Sequence, residues 1–282
     1  MGGVTHTPAL RLNMTGFAAM PGSATLRSVA LPAEHGGWGF LLEPLLLGLL
    51  TAGSGAGLLL AVAAFGVFLI HQPLKIALKD RVKGRRPVRT VWAERFVALY
   101  GLMALVPILL LLATMPPSFL IPIALAVPLA GIQALYDARN QSRRLLPEIS
   151  GALSLAMIAP AIALLAGWQL PAALVLGVIV AMRVVPAILY VRARLRLEHG
   201  KPGSPYPAWI AHGVGLGAVL VLAAARQTPW LGMLAFLILL ARALLGLSSY
   251  RKARPAKVIG FQEIAYGLIT PLIVALGYRL GV

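Results

Sequence analysis

Eight carboxylates stand in this sequence, at Glu34, Glu43, Asp80, Glu94, Asp137, Glu148, Glu198 and Glu263, and their company decides what they could do. Glu34 and His35, followed by Gly36-Gly37-Trp38, put a carboxylate beside an imidazole. That pair is either an acid–base couple or a helix-start pair near a positive dipole end. Gln72, Lys75, Lys79 and, at the edge, Asp80 recur at three- and four-residue spacing, so they share a polar face of one helix. Arg192 and Arg196 lie four apart after Tyr190 and stack two guanidiniums, a geometry suited to phosphate oxygens. A polar stretch from Tyr136 through Asp137, Arg139, Arg143 and Arg144 ends at Pro147-Glu148, where the acid is either a helix cap or a base. Lys257 and Glu263 complete the set. Together these residues predict an anion site: Gln72, Lys75, Lys79, Arg139, Arg143, Tyr190, Arg192, Arg196 and Lys257 would bind the substrate, and Asp80, Glu148, Glu263, Glu34 or His35 would move protons.

Other chemistries find little support. There is no Cys, so no thiolate nucleophile and no Cys-ligated metal. His6, His35, His71, His199 and His212 show no ligand-type spacing, so no histidine metal site is expected, and no Walker loop or dinucleotide fingerprint occurs.

The elements that must carry these groups follow from composition. Of the 282 residues, 59% are hydrophobic and 12% charged, with a mean hydropathy of +0.86, which excludes a soluble globular enzyme. A net charge of +17 would suit nucleic acid, but the apolar fraction argues for a membrane instead. Crossing a bilayer takes about 20 apolar helical residues. Nine such runs are predicted, at 37–53, 55–78, 94–114, 117–136, 146–166, 169–193, 206–225, 229–249 and 259–280. The fold class is therefore an all-α integral membrane protein with nine transmembrane helices over residues 31–282, a single domain. Residues 1–30 lack the apolar core of a signal peptide and read as a disordered cytoplasmic tail, with Met14 and Met20 as alternative starts.

Basic residues crowd the loops after runs two, four, six and eight, leaving only Arg226 and Arg279 on the other side. By the positive-inside rule the chain is N-in and C-out in the inner, cytoplasmic membrane. Glu43, Lys75, Arg183, Arg242 and Glu263 fall inside apolar runs, where an ionisable group must find a partner or a wet cavity. Gly53 with Gly57, and Gly213 with Gly217, have the spacing of close helix packing.

The segments Glu34-His35-Gly36-Gly37-Trp38, Gln72-Pro73-Leu74-Lys75, Tyr190-Val191-Arg192 and Glu263 are similar to the YwiC-like bacterial membrane proteins, a family with no assigned function. The spans and the polar loops after the second, fourth and sixth also resemble the UbiA superfamily of intramembrane prenyltransferases, as do Tyr136, Pro147 and Gly151. That resemblance implies a UbiA-like bundle. In that superfamily two Asp-rich runs hold Mg²⁺ against a prenyl diphosphate. Here the first run reads Gln72, Pro73, Ile76 and Asp80, and Arg192 and Arg196 stand at the second. Mg²⁺ needs hard oxygen ligands, so the resemblance implies a cationic site without bound metal, with Mg²⁺ disfavoured as a cofactor.

Three functions follow from these readings. A divergent UbiA-like transferase or lyase would act on a phosphorylated prenyl lipid. A binding or transport protein would hold an anionic lipid or small anion, with membrane lipids rather than nucleic acid as partners. A structural membrane subunit would pair all its intramembrane charges internally.

Overall fold

The computed structural model describes residues 23–32 and 35–282, which form helices and no strands. Glu34 lies outside the described residues, and His35 enters only as the first residue of a helix. The helices are α1 (Ser23–Ala30), α2 (His35–Ala52), α3 (Gly55–Val82), α4 (Val88–Thr114), α5 (Leu120–Ala138), α6 (Leu145–Ala156), α7 (Ile158–Leu165), α8 (Leu170–Glu198), α9 (Tyr206–Ala224), α10 (Leu231–Leu247) and α11 (Ala256–Leu280), with a 3₁₀ turn at Pro117–Phe119 leading into α5.

Seven of these segments are long and apolar enough to cross a membrane: α3, α4, the 3₁₀ turn with α5, the α6–α7 pair, α8, α9 and α11. The chain is thus a multi-pass helical membrane protein. The first and eighth of the nine predicted runs correspond to α2 and α10, apolar helices of 18 and 17 residues. At 1.5 Å per residue these reach about 26–27 Å, the short limit for a bilayer core of about 30 Å.

Two local features differ from the sequence reading. Within the stretch expected to be an unstructured tail, residues 23–30 form α1, whose Val29 is buried against Ala77 of α3 and Ala93 of α4. The fifth run is broken at Met157 into α6 and α7. Pro160 explains the break: it has no N–H for the carbonyl of Ala156, and its ring crowds that residue.

α2, α7 and α8 form the centre. Leu41, Leu47, Ile162, Leu176, Val180 and Val184 are almost fully buried there. Lipid tails offer no hydrophobic driving force, so close contact through small residues must hold the helices together. A Cβ on Gly48 would sit 3.0 Å from Ile162 Cβ, and one on Gly66 of α3 would sit 2.7 Å from the backbone N of Ala104 in α4. Of the glycines chosen by spacing, Gly57 makes such an approach, since a Cβ there would lie 2.8 Å from Ile162 Cγ2 of α7. A Cβ on Gly213 or Gly217 would meet open space, whereas one on Gly215, between them on α9, would lie 2.8 Å from the Met182 carbonyl of α8. Gly53, at φ +56°, makes the left-handed turn between α2 and α3. Outside the centre, α4 and α5 present Leu102, Leu105, Leu109, Leu125 and Val127 outward, as lipid-facing helices do.

Candidate functional site

The predicted site residues separate into groups with different partners. At the end of α3, Lys75 and Lys79 are exposed, and Gln72 Nε2 donates to the Ser28 carbonyl of α1 at 3.4 Å. Asp80 points the other way. It is buried and accepts from Arg89 Nε at 3.0 Å, Arg89 Nη2 at 2.7 Å and Thr90 Oγ1 at 2.7 Å. Glu94 of α4 accepts from Arg81 and Arg86 at 2.8 and 2.6 Å. Much of the basic run after α3 therefore braces the α3–α4 hairpin.

A second group joins α6 to α8. Arg192 Nη1 lies 2.8 Å from Glu148 Oε2 and 3.1 Å from the Arg143 carbonyl, so the arginine holds both the acid and its loop. Arg139, Arg143 and Arg196 are exposed around it, and His71 Nε2 of α3 sits 2.9 Å from Asp137 Oδ2 at the end of α5. Lys257 is exposed, with Nζ 5.8 Å above the Phe261 ring. Arg194, which the sequence reading passed over, is buried: it ion-pairs with Glu198 at 2.9 Å and donates to the carbonyls of Gly246 and Lys252, closing the end of α10.

The third group lies within the bundle and contains Glu263. Arg183 of α8 meets Glu43 of α2 at 2.9 Å, their side chains 3% and 2% exposed. The other terminal nitrogen of Arg183, Nη2, donates to the Glu263 carbonyl at 3.0 Å and is 4.0 Å from the Glu263 carboxylate. Arg242 of α10 ion-pairs with that same carboxylate. Its guanidinium carbon lies 4.0 Å from the ring centre of Tyr190 and 4.9 Å from that of Tyr266, a cation held between two aromatic faces. His212 of α9 is buried with its ring 6.4 Å from Tyr190, and its Nδ1 donates to the Ala208 carbonyl at 2.7 Å.

Helix spacing assembles this group. Arg183 and Tyr190 are seven apart on α8, and Glu263, Tyr266 and Gly267 are three and four apart on α11, so each set shares a face. Gly267 makes the room: a Cβ there would lie 3.1 Å from Arg183 Nη2 and 3.4 Å from Glu43 Oε2. Two arginines face two glutamates, so the cluster is formally neutral, which is what a low-dielectric interior favours. Satisfaction is nevertheless incomplete. Arg183 Nε, Arg242 Nε and Nη2, Glu43 Oε2 and Glu263 Oε2 are buried without a hydrogen-bond partner, although Glu43 Oε2 keeps its ion pair with Arg183.

The sequence carried the signal for this cluster, since Glu43, Arg183, Arg242 and Glu263 are ionisable residues in apolar runs. Of this cluster, only Glu263 and Tyr190 receive site roles from the sequence; Glu43, Arg183 and Arg242 are flagged there without a role, and His212 and Tyr266 are not flagged as part of a site. Two concavities lie elsewhere. One is lined by Arg226, Gln227, Thr228, Trp230 and Tyr278, the other by Glu198, His199, Arg254 and Pro255. Among the described residues no three His, Asp or Glu side chains converge as metal ligands, and both oxygens of Asp80 are already engaged.

No match is found to a curated protein or to a solved structure. A family match runs from α2 into α7, including Glu43 and the α3–α4 hairpin, while Arg183, Arg242 and Glu263 lie beyond it. Residues 31–163, under half of the chain, match the family model described as YwiC-like protein, and over that stretch the chain is similar to that family.

Proposed function

We propose that this chain binds or transports an anion, either a small one or the headgroup of an anionic lipid, at the cluster between α2, α8, α10 and α11. It does so in the inner membrane, N-in and C-out, with the ends carrying Lys79, Arg143, Arg196 and Lys257 toward the cytoplasm. The observation that carries this reading is Arg242: a cation inside the bundle, flanked by two tyrosine rings, with Nε and Nη2 unpaired. An unpaired N–H in such a place is costly, and an arriving anion would satisfy it. The exposed cations at the same end would raise the local concentration of anions.

The test uses protein extracted in mild detergent and examined by native mass spectrometry, together with sulfate uptake into phosphatidylcholine proteoliposomes. A co-purified anionic lipid or a sulfate flux that wild type has and Arg242→Ala lacks supports the reading. Equal behaviour of the two proteins removes Arg242 from any site.

A second reading, a nine-helix UbiA-like transferase acting on a phosphorylated prenyl lipid, draws on Lys75 and Lys79, exposed one turn apart on α3. Binding is preferred to turnover because two of the carboxylates available as base, Asp80 and Glu148, are engaged by Arg89 and Arg192. Turnover of a prenyl diphosphate by purified protein, with or without Mg²⁺, would reverse that preference.

A further inference from the structure

The four buried charges are not equally enclosed. Arg183 and Glu43 are 3% and 2% exposed at the side chain, whereas Arg242 and Glu263 are 8% and 15% exposed. The inner pair is the more closed and the outer pair the less. Glu263 is also the shared member: Arg242 holds one carboxylate oxygen, while the other lies 4.0 Å from Arg183 without a hydrogen bond.

This asymmetry constrains how an anion could enter. With two arginines and two glutamates the cluster starts neutral, so an added anion would leave one uncompensated negative charge among apolar helices. Such a charge is expensive in a low-dielectric interior. A proton taken up by a carboxylate removes it. Glu263 is the acid placed to accept, because it is the more exposed of the two and the one whose neutralisation frees Arg242.

We propose that Glu263 is the proton-carrying gate of an anion site: protonation releases Arg242, the anion takes the vacated guanidinium edge, and one proton is bound for each anion. Before the exchange the rim holds a carboxylate and a guanidinium; afterwards it holds a neutral acid, the guanidinium and the anion, so the net charge is unchanged. Tyr190 and Tyr266 keep Arg242 in position throughout, and Arg183 stays on Glu43. The charged and titratable groups around Glu263 are Glu43 from α2, Arg183 and Tyr190 from α8, His212 from α9, Arg242 from α10, and Tyr266 on its own helix. The ligand class is a singly charged, strongly acidic oxyanion group of the phosphodiester type, either a free ion or a lipid headgroup.

This inference rests on the anion-binding reading above, and the experiment separates the two. Protein in phosphatidylcholine nanodiscs is titrated calorimetrically with dimethyl phosphate, a free monoanion, and, separately, with short-chain phosphatidylglycerol, at about pH 5.5 and about pH 8. Both probes keep their own charge over that range. Repeating each titration in two buffers of different ionisation heat counts the protons. Wild type is expected to take up close to one proton per anion and to bind at least about tenfold more tightly at the lower pH. Glu263→Gln is expected to bind equally at both pH values with no proton uptake. The probe that binds identifies the source, free ion or lipid. Binding without proton uptake overturns the gate and leaves the anion site standing. No binding of either probe, to wild type or variant, overturns the site and the reading beneath it. Should Glu263→Gln fail to fold, the wild-type proton count alone decides.

Discussion

Arg183→Met should destabilise this protein far beyond the packing it removes, because Glu43 would be left as an uncompensated charge inside the bundle. Arg183 Nη1 and Glu43 Oε2 are 2.9 Å apart, with both side chains almost wholly enclosed. Opposite charges with centres about 4 Å apart attract by about 4 kcal/mol at an effective dielectric of about 20. Removing one member of a buried pair typically costs about 3–5 kcal/mol, while replacing both by apolar residues removes the desolvation penalty as well. Arg183→Met and Glu43→Leu should therefore each lose about 3–5 kcal/mol, and the double variant should lose less than either alone. The assay is reversible unfolding in mixed dodecylmaltoside and dodecyl sulfate micelles, followed by the fluorescence of the five tryptophans. Arg183→Met also removes the bond to the Glu263 carbonyl, but that loss is common to the single and double variants and cancels in the coupling term. Additive losses, or single losses under about 1 kcal/mol, the scale of an exposed pair, would refute the reasoning.

Other expectations follow from the same geometry. Gly66→Ala should shift the unfolding midpoint strongly, since its Cβ would strike the α4 backbone at 2.7 Å, whereas Gly101→Ala, with 3.7 Å to Ile70 Cδ1, should be tolerated. On α11, Gly267→Ala should cost about 1–3 kcal/mol by crowding Arg183, while Gly260→Ala, facing open space, should be neutral or mildly stabilising in the same unfolding assay. Asp80→Asn and Arg89→Ala should lower the thermal midpoint non-additively and leave anion binding intact; loss of binding would return Asp80 to the site. Because the chain has no Cys, single cysteines at Lys201 and Gln227 can report orientation. An impermeant maleimide should label position 227 in intact cells and position 201 only after lysis, and the reverse pattern would invert the proposed topology.

The membrane class, the helical segments and the concentration of basic residues in alternate loops were legible in the sequence, because each depends on sums over neighbouring residues. Hydropathy over a window decides whether a segment prefers lipid, and Pro and Gly mark its ends wherever they stand. The same local logic flagged Glu43, Arg183, Arg242 and Glu263 as ionisable residues in apolar runs. It could not say that they meet. Glu43 and Arg183 are 140 positions apart, and their contact requires α2, α8 and α11 to turn particular faces toward one another. Rotation about a helix axis is set by packing against partners distant in sequence, so spacing within one helix shows which residues share a face but not what that face touches. That is why Gly215 approaches α8 while Gly213 and Gly217 do not. Asp80 followed the same rule: its place on a polar face was legible, but its commitment to Arg89 and Thr90 arose only when α4 folded back against α3. Sequence determined which charges had to be accommodated inside a membrane; tertiary structure alone decided which of them neutralise one another, because that depends on distance through space.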